Sequence, residues 1–170
     1  MKIQYIERDI TDPIETNTIV LILHVCNDSG LMGSGVAYAL FKKWPNVRSD
    51  YIEWFNFETD NPITDDKIKP FKIGRCQLVE VAPPNIYVIN MIGQNGLRGY
   101  GNPIPINYSA IDSCLQEVER LATEMGKYFG RDVVVNMPRI GCGLAGGSWD
   151  KIEPLILKNI KHSVTIYDYE

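Results

Sequence analysis

Four glycines fall within seven positions at Gly141, Gly143, Gly146 and Gly147, inside the stretch PRIGCGLAGGSWDKIEPL. A second group, Gly30, Gly33 and Gly35, lies in CNDSGLMGSG. Glycine has no Cβ, so such loops let the backbone approach a ligand or bend where a side chain would forbid it. Each loop follows an apolar run and precedes a helix-like pattern. Amides at a helix start point outward unpaired, and the aligned peptide dipoles add partial positive charge there. Such a loop accepts phosphate without lysine or arginine. Two of them converging on one crevice would hold a diphosphate or two linked anions. The alternative is that the glycines only make tight strand-to-helix turns.

Titratable residues stand close to both loops. His24 is placed at the end of the first apolar run, where an imidazole would protonate a leaving oxygen or orient an attacking water, or else be a structural histidine bonded to backbone. Asp28 is either a base or the brace of an Asx turn. Arg139 either approaches the site or pairs with a surface acid. Asn90 and Gln94 offer hydrogen bonds to a ligand or to a loop. Trp149 reads as a packing residue and His162 as solvated. Two motif matches point elsewhere. Gly141, Gly143 and Gly146 spell G-x-G-x-x-G, with Asp168 where a ribose-binding acid of a dinucleotide site would stand, but PRIGC is too long for that motif's tight first turn. Cys114 and Arg120 have C-x5-R spacing, yet they fall inside a helical pattern instead of a phosphate loop.

The 170 residues are 45% hydrophobic and 22% charged, which suits one domain over 1–170 with a core of its own. A formal net charge of -4 argues against a general nucleic-acid binder while allowing a local basic pocket. Cys26, Cys76, Cys114 and Cys142 form no C-x-x-C pair and no zinc ribbon, so free thiols, no metal and no cofactor are expected. The charged start MKIQYIERDI does not suit a signal peptide, and no apolar run approaches membrane length. These features predict a soluble cytoplasmic protein without a membrane partner.

The elements that must carry the loops alternate in type. TIVLILHV reads as a strand buried on both faces. VAYALFKKW is a helix with Val36, Leu40 and Trp44 on one face, a second helix covers 47–57, and ETDNPITDD is a solvated turn. CQLVEVA and IYVINMIG are strands parted by Pro83 and Pro84. The longest helix starts near Pro105, with Ile111, Leu115, Val118, Ala122 and Met125 as its apolar stripe. DVVVNMP is a further buried strand, WDKIEPLILKNI a helix with Ser148 as N-cap and Asp150 in its first turn, and SVTIYDY the last strand. This order predicts an α/β fold with a mainly parallel sheet covered on both faces. Ligands bind such sheets beyond the carboxyl ends of the strands, where both glycine loops lie.

RDIT, HVCNDSGLMGSGVAYAL, NMIGQNG and MPRIGCGLAGGSWDKIEPLI, with VTIYDY after them, together resemble a macro domain, the ADP-ribose-binding fold. The resemblance is to the branch of ADP-ribose-1''-phosphate phosphatases and terminal ADP-ribose protein glycohydrolases. It implies three layers, α/β/α, around a central mixed, mainly parallel sheet. It also implies roles. Asp9 would accept from the adenine amino group with the Ile10 amide close by, and Tyr167 would stack on the base. Asn27 would reach the distal ribose. Gly33, Ser34, Gly35 and Val36 would wrap one side of the diphosphate, and Gly141, Cys142, Gly143, Leu144 and Ala145 the other, with Arg139 nearby. The glycohydrolase pattern is broken: Ala145 follows GCGL in place of an acid, and Gln94 stands near the place of the lysine. What the resemblance then implies is a metal-free phosphatase acting on ADP-ribose 1''-phosphate, with His24, Asn27 and Asp28 as catalytic candidates. The alternatives are a hydrolase removing ADP-ribose, or an acyl group on it, from ADP-ribosylated macromolecules or small molecules, and a binding module without turnover.

Overall fold

The computed structural model describes residues 3–14, 16–60 and 71–169, with side chains at 58–60 left aside. Its centre is β2 (Ile19–Asn27), whose apolar residues alternate between two cores. Ile19, Leu21 and Leu23 face one layer of helices, while Val20, Ile22 and Cys26 face the other. A strand covered on both faces needs this continuous apolar run, because neither side of its pleat meets water.

The remaining elements are β1 (Ile3–Glu7), α1 (Gly35–Lys43), α2 (Asn46–Asp60), β3 (Cys76–Ala82), β4 (Ile86–Gln94), α3 (Tyr108–Phe129), β5 (Val133–Met137), α4 (Trp149–Asn159) and β6 (Ser163–Asp168). The sheet runs β1-β6-β5-β2-β4-β3. Every neighbouring pair is parallel except β3 with β4, which makes the sheet mixed. Leu40 of α1 and Val47 and Tyr51 of α2 fill one core. The stripe Ile111, Leu115, Val118, Ala122 and Met125 of α3, with Ile152 and Ile156 of α4, fills the other. This is the three-layer α/β/α arrangement.

Local chemistry sets the element ends. α3 begins at Tyr108, not Pro105, because the Asn107 side chain accepts the Ala110 amide at 2.9 Å and caps the helix there. It ends at Gly130, whose φ of 62° is the left-handed turn that glycine tolerates. Ser148 does occupy the N-cap position of α4, but its hydroxyl caps nothing; its own amide donates to the Tyr108 hydroxyl at 3.0 Å. The expected turn over 58–66 is partly helix, since α2 continues to Asp60, and its remainder lies outside the described residues. β1 is an edge strand with mixed exposure, so it lacks the apolar run that marks β2. Among the described residues no helix is long and apolar enough to cross a membrane.

Leu115 is completely buried between sheet and helices, whereas Leu157 of α4 is about half exposed. Leu115→Ala is expected to cost about 2 to 5 kcal/mol in urea unfolding, because a cavity adds to the lost transfer energy. Leu157→Ala should stay within about 0.5 kcal/mol of wild type.

Candidate functional site

β5, β2 and β4 are parallel, so their carboxyl ends open on the same side of the sheet. At that end the β2–β4 register slips between Cys26, opposite Ile92, and Asn27, opposite Gln94, leaving Gly93 as the extra residue. A Cβ at Gly93 would sit 2.5 Å from the Ile111 side chain, so any larger residue in the bulge would have to displace that buried side chain.

The loop after β2 is organised by one side chain. Asn27 Oδ1 accepts the Ser29 amide at 2.9 Å and the Tyr51 hydroxyl at 2.8 Å, and Asn27 Nδ2 donates to the Leu31 carbonyl. The Gly30 amide donates back to the Tyr51 hydroxyl at 3.1 Å. The loop thus reaches α1 as a fixed turn. Ser34, the N-cap residue of α1, makes no side-chain cap bond, so the first amides of the helix keep no side-chain partner.

The loop after β5 folds on itself. The Gly147 amide donates to Gly141 O at 2.7 Å, the Gly146 amide to Gly143 O at 3.0 Å, and the Ile106 amide to Ala145 O at 3.0 Å. Its glycines divide into two kinds. A Cβ would fall 2.8 Å from the Ile106 side chain at Gly141, where φ is already +73°, and 2.5 Å from a carbonyl oxygen at Gly147. The protein itself requires glycine at both. At Gly143, and at Gly33 in the other loop, φ is not positive and a Cβ would meet nothing within 4 Å.

Both of these unconstrained glycines line one cleft of about 680 Å³. Its walls are Leu31 to Ala37 on one side and Pro138 to Gly141 with Gly143 to Ala145 on the other, closed by the ends of β2 and β4 and by Arg48 of α2. The loops come close together: the Leu144 side chain lies 3.9 Å from where a Cβ of Gly35 would be. The lining contains Arg48, Arg98 and Arg139 and no aspartate or glutamate, in a chain with a formal net charge of -4. The reading of an anion site built from backbone alone is corrected in this respect. Arg48 and Arg98 were missed because one lies in an ordinary amphipathic helix and the other in a loop between glycines, and neither position carries a motif.

The structure brings His24, Asn27, Gly33, Ser34, Gly35, Val36, Arg139, Gly141, Gly143, Leu144 and Ala145 to this cleft. It places five other candidates elsewhere. Tyr167 is not a free stacking surface: its ring is 3% exposed within the α1–α2 core, and its hydroxyl bonds Asn136 Nδ2 and the Ile14 amide at 3.2 and 3.1 Å. Ile10 is buried in the same core, and Asp9 Oδ1 accepts the Thr11 amide and hydroxyl in a local turn. Asp28 braces a neighbouring loop, its Oδ1 accepting the Gly96 amide at 2.7 Å. The Cys142 thiol lies off the lining beside Ile140 O. Arg139 combines both of its alternatives, lining the cleft while gripping Asp168 through two bonds of 2.9 and 3.1 Å.

His24 needs the fullest correction. It lies three residues inside β2 instead of at its end, 2% exposed. Its Nε2 bonds Asn90 Oδ1. Asn90 Nδ2 in turn donates to Val47 O at 3.1 Å and Gln77 Oε1 at 3.0 Å, and Gln77 Nε2 to Asp50 O at 2.9 Å. Since Asn90 presents its oxygen, Nε2 carries the proton and Nδ1 is a bare acceptor without a partner among the described residues. Burial lowers the pKa to about 4, against the bond to Asn90, which works the other way. The imidazole is neutral at pH 7 and has no second proton to give. Among the described residues no group of three or more His, Cys, Asp or Glu side chains is placed to hold a metal.

A buried neutral histidine makes stability depend on pH. Its folded pKa lies below the unfolded value of 6.5, so the unfolded chain binds more protons between the two, and stability falls as pH drops from 6.5 toward about 4. Urea unfolding at pH 7 and 4.5 should show a loss of up to about 3 kcal/mol from this group. His24→Gln, which keeps a donor for Asn90, should show a shallower dependence over the same range.

Comparison with known proteins places this geometry. The Macro domain family matches residues 23–156. A relative named ADP-ribose 1''-phosphate phosphatase, from Candida albicans, is 25% identical over 152 residues, 89% of each chain. A protein of unknown function from Bacteroides thetaiotaomicron is similar in structure with a TM-score of 0.82 at 37% identity, covering 99% of this chain and 98% of that one. A macrodomain protein from Streptomyces coelicolor gives a TM-score of 0.79 at 34% identity, over 99% and 100% of the two chains. On the match over residues 23–156, the chain belongs to the Macro domain family.

Proposed function

We propose that this macro domain binds ADP-ribose in the cleft and removes the terminal phosphate from ADP-ribose 1''-phosphate. One observation carries the binding reading. Gly33 and Gly143 stand on the cleft lining, one in each loop, and neither backbone conformation nor packing requires glycine at either. The absent Cβ leaves peptide groups open to a diphosphate between the loops, and the uncapped start of α1 adds outward amides on one side.

The reaction reading is supported by what lines the cleft. Water attacks the terminal phosphorus, the P–O bond to the ribose 1'' oxygen breaks, that oxygen takes a proton from solvent, and phosphate leaves. Phosphoryl transfer depends mainly on positioning and charge neutralisation, which amides and arginines supply. Breaking a glycosidic bond ordinarily calls on a carboxylate as base or nucleophile, and none lines this cleft. The Candida albicans relative is named for the phosphatase reaction. His24 does not act as the proton donor in this scheme, and Asn27 and Asp28 serve by holding the loops. Those committed side chains also favour a second reading, a module that binds ADP-ribose without turnover.

Calorimetry against ADP-ribose, AMP and ribose 5-phosphate tests the pocket, and phosphate release from ADP-ribose 1''-phosphate tests the reaction. Tight ADP-ribose binding with no phosphate released would leave the binding module standing and remove the enzyme. Gly33→Val and Gly143→Val are expected to weaken ADP-ribose binding by about tenfold or more, with unfolding free energies within about 1 kcal/mol of wild type. Gly141→Ala should instead destabilise the fold by about 1 to 3 kcal/mol, because its backbone conformation disfavours any side chain.

A further inference from the structure

We propose that Arg98, together with Arg48, forms an anion subsite at the β4 end of the cleft that selects ligands carrying a phosphate on the distal sugar. This rests on the reading of the cleft as an ADP-ribose site and names residues that would discriminate between its ligands. The cleft crosses the ends of β5, β2 and β4 in that spatial order. The glycine loops follow β5 and β2, so their amides occupy its middle. Arg139 follows β5, and Arg98 sits in the loop after β4. Arg48 belongs to α2, which packs on β3 and β4. Arg139 therefore stands on the β5 side of the cleft and Arg98 on the β4 side, with Arg48 held to the β2 loop through Met32 O.

The two ends differ in how much of their charge is already matched. Arg139 is neutralised by its two bonds to Asp168. Arg48 gives one N–H to Met32 O at 2.9 Å and lies 5.5 Å over the Phe41 ring, without a carboxylate partner among the described residues. Arg98 has neither a hydrogen bond nor an ion pair from its side chain among the described residues, whereas Arg8, Arg120 and Arg139 each have an acid.

Arg98 is nevertheless carried on a built turn. Asp28 Oδ1 holds the Gly96 amide at 2.7 Å, and Gln94 Nε2 holds Gly96 O at 2.9 Å. Asn102 Nδ2 bonds Asn95 O at 2.7 Å and Leu97 O at 3.0 Å, and Gly99 and Asn102 exchange two backbone bonds of 3.1 and 3.0 Å. The turn fixes the arginine's backbone beside the cleft and leaves its guanidinium without a counter-charge, next to a lining that contains no carboxylate. A guanidinium is a planar fork suited to two phosphate oxygens. With the diphosphate gripped by amides in the middle, the anion that fits this end is a phosphomonoester.

The test is calorimetric titration of wild type and Arg98→Ala with ADP-ribose and with its 1''-methylenephosphonate analogue, which cannot be hydrolysed at that position. Wild type should bind the phosphonate about tenfold more tightly than ADP-ribose, and Arg98→Ala should lose that advantage while binding ADP-ribose within about twofold of wild type. Arg98→Lys should recover part of it, as a point charge without the fork. A third arm adds inorganic phosphate to the ADP-ribose complex: binding that requires Arg98 would assign the subsite to the released product as well as to the sugar phosphate. Equal losses for both ligands, or none for either, would overturn the subsite. Wild type that binds ADP-ribose with no preference for the phosphonate sinks the subsite alone, whereas absence of ADP-ribose binding sinks the parent reading too.

Discussion

At the end of β2 the carboxamide of Asn27 clasps the turn that follows it, and the hydroxyl of Tyr51 locks that clasp from α2. Without these bonds the segment from Ser29 to Ser34 would be an ordinary glycine-rich loop with many conformations to lose on binding. With them, the turn from Ser29 to Leu31 that leads to Gly33 is held in place by the protein itself. The second loop achieves the same by bonding to itself and to Ile106. Binding by bare amides is effective only where those amides are already aimed, so the site depends on polar groups that need not touch the ligand at all.

The cleft's charge is the second organising feature. The chain carries 21 acidic against 17 basic residues, yet the cleft lining gathers three arginines and excludes carboxylates. Lining a cleft in this way confines positive potential to it, while the rest of the surface can remain acidic. On that lining, His24 is kept neutral by burial, against the bond to Asn90, which works the other way. A histidine on the lining of a cleft would ordinarily be read as a proton donor. Here its protonation is suppressed by the low-dielectric surroundings.

The layers and the order of elements were legible because periodicity reports burial directly: the run around Leu21 to Leu23 and the stripe from Ile111 to Met125 both found the core the pattern implies. Both glycine loops were legible for a related reason, since glycine density marks backbone that must turn or come close. Which glycines the fold itself requires was not. Gly141 and Gly143 look alike in sequence, and only the neighbouring Ile106 and the sign of φ separate them. Tyr167 was expected to face a ligand, but a residue near a strand's end points to one face or the other, and here its side chain went into the packed interior; His24, left open as catalytic or structural, lines the cleft with its ring bonded to Asn90. Arg48 and Arg98 come to the site through long-range packing of α2 and of the loop after β4, which local pattern does not encode.

The chain of bonds from His24 through Asn90 to Val47 O, and through Gln77 to Asp50 O, ties the cleft floor to the same stretch of α2 that carries Arg48. Moving that helix outward would break the buried bond from Asn90 to Val47 O, where solvent is not at hand to compensate. The distance between floor and cationic wall is thus a fixed gauge. Any change in the spacing between them would have to be met by the loss of that buried bond.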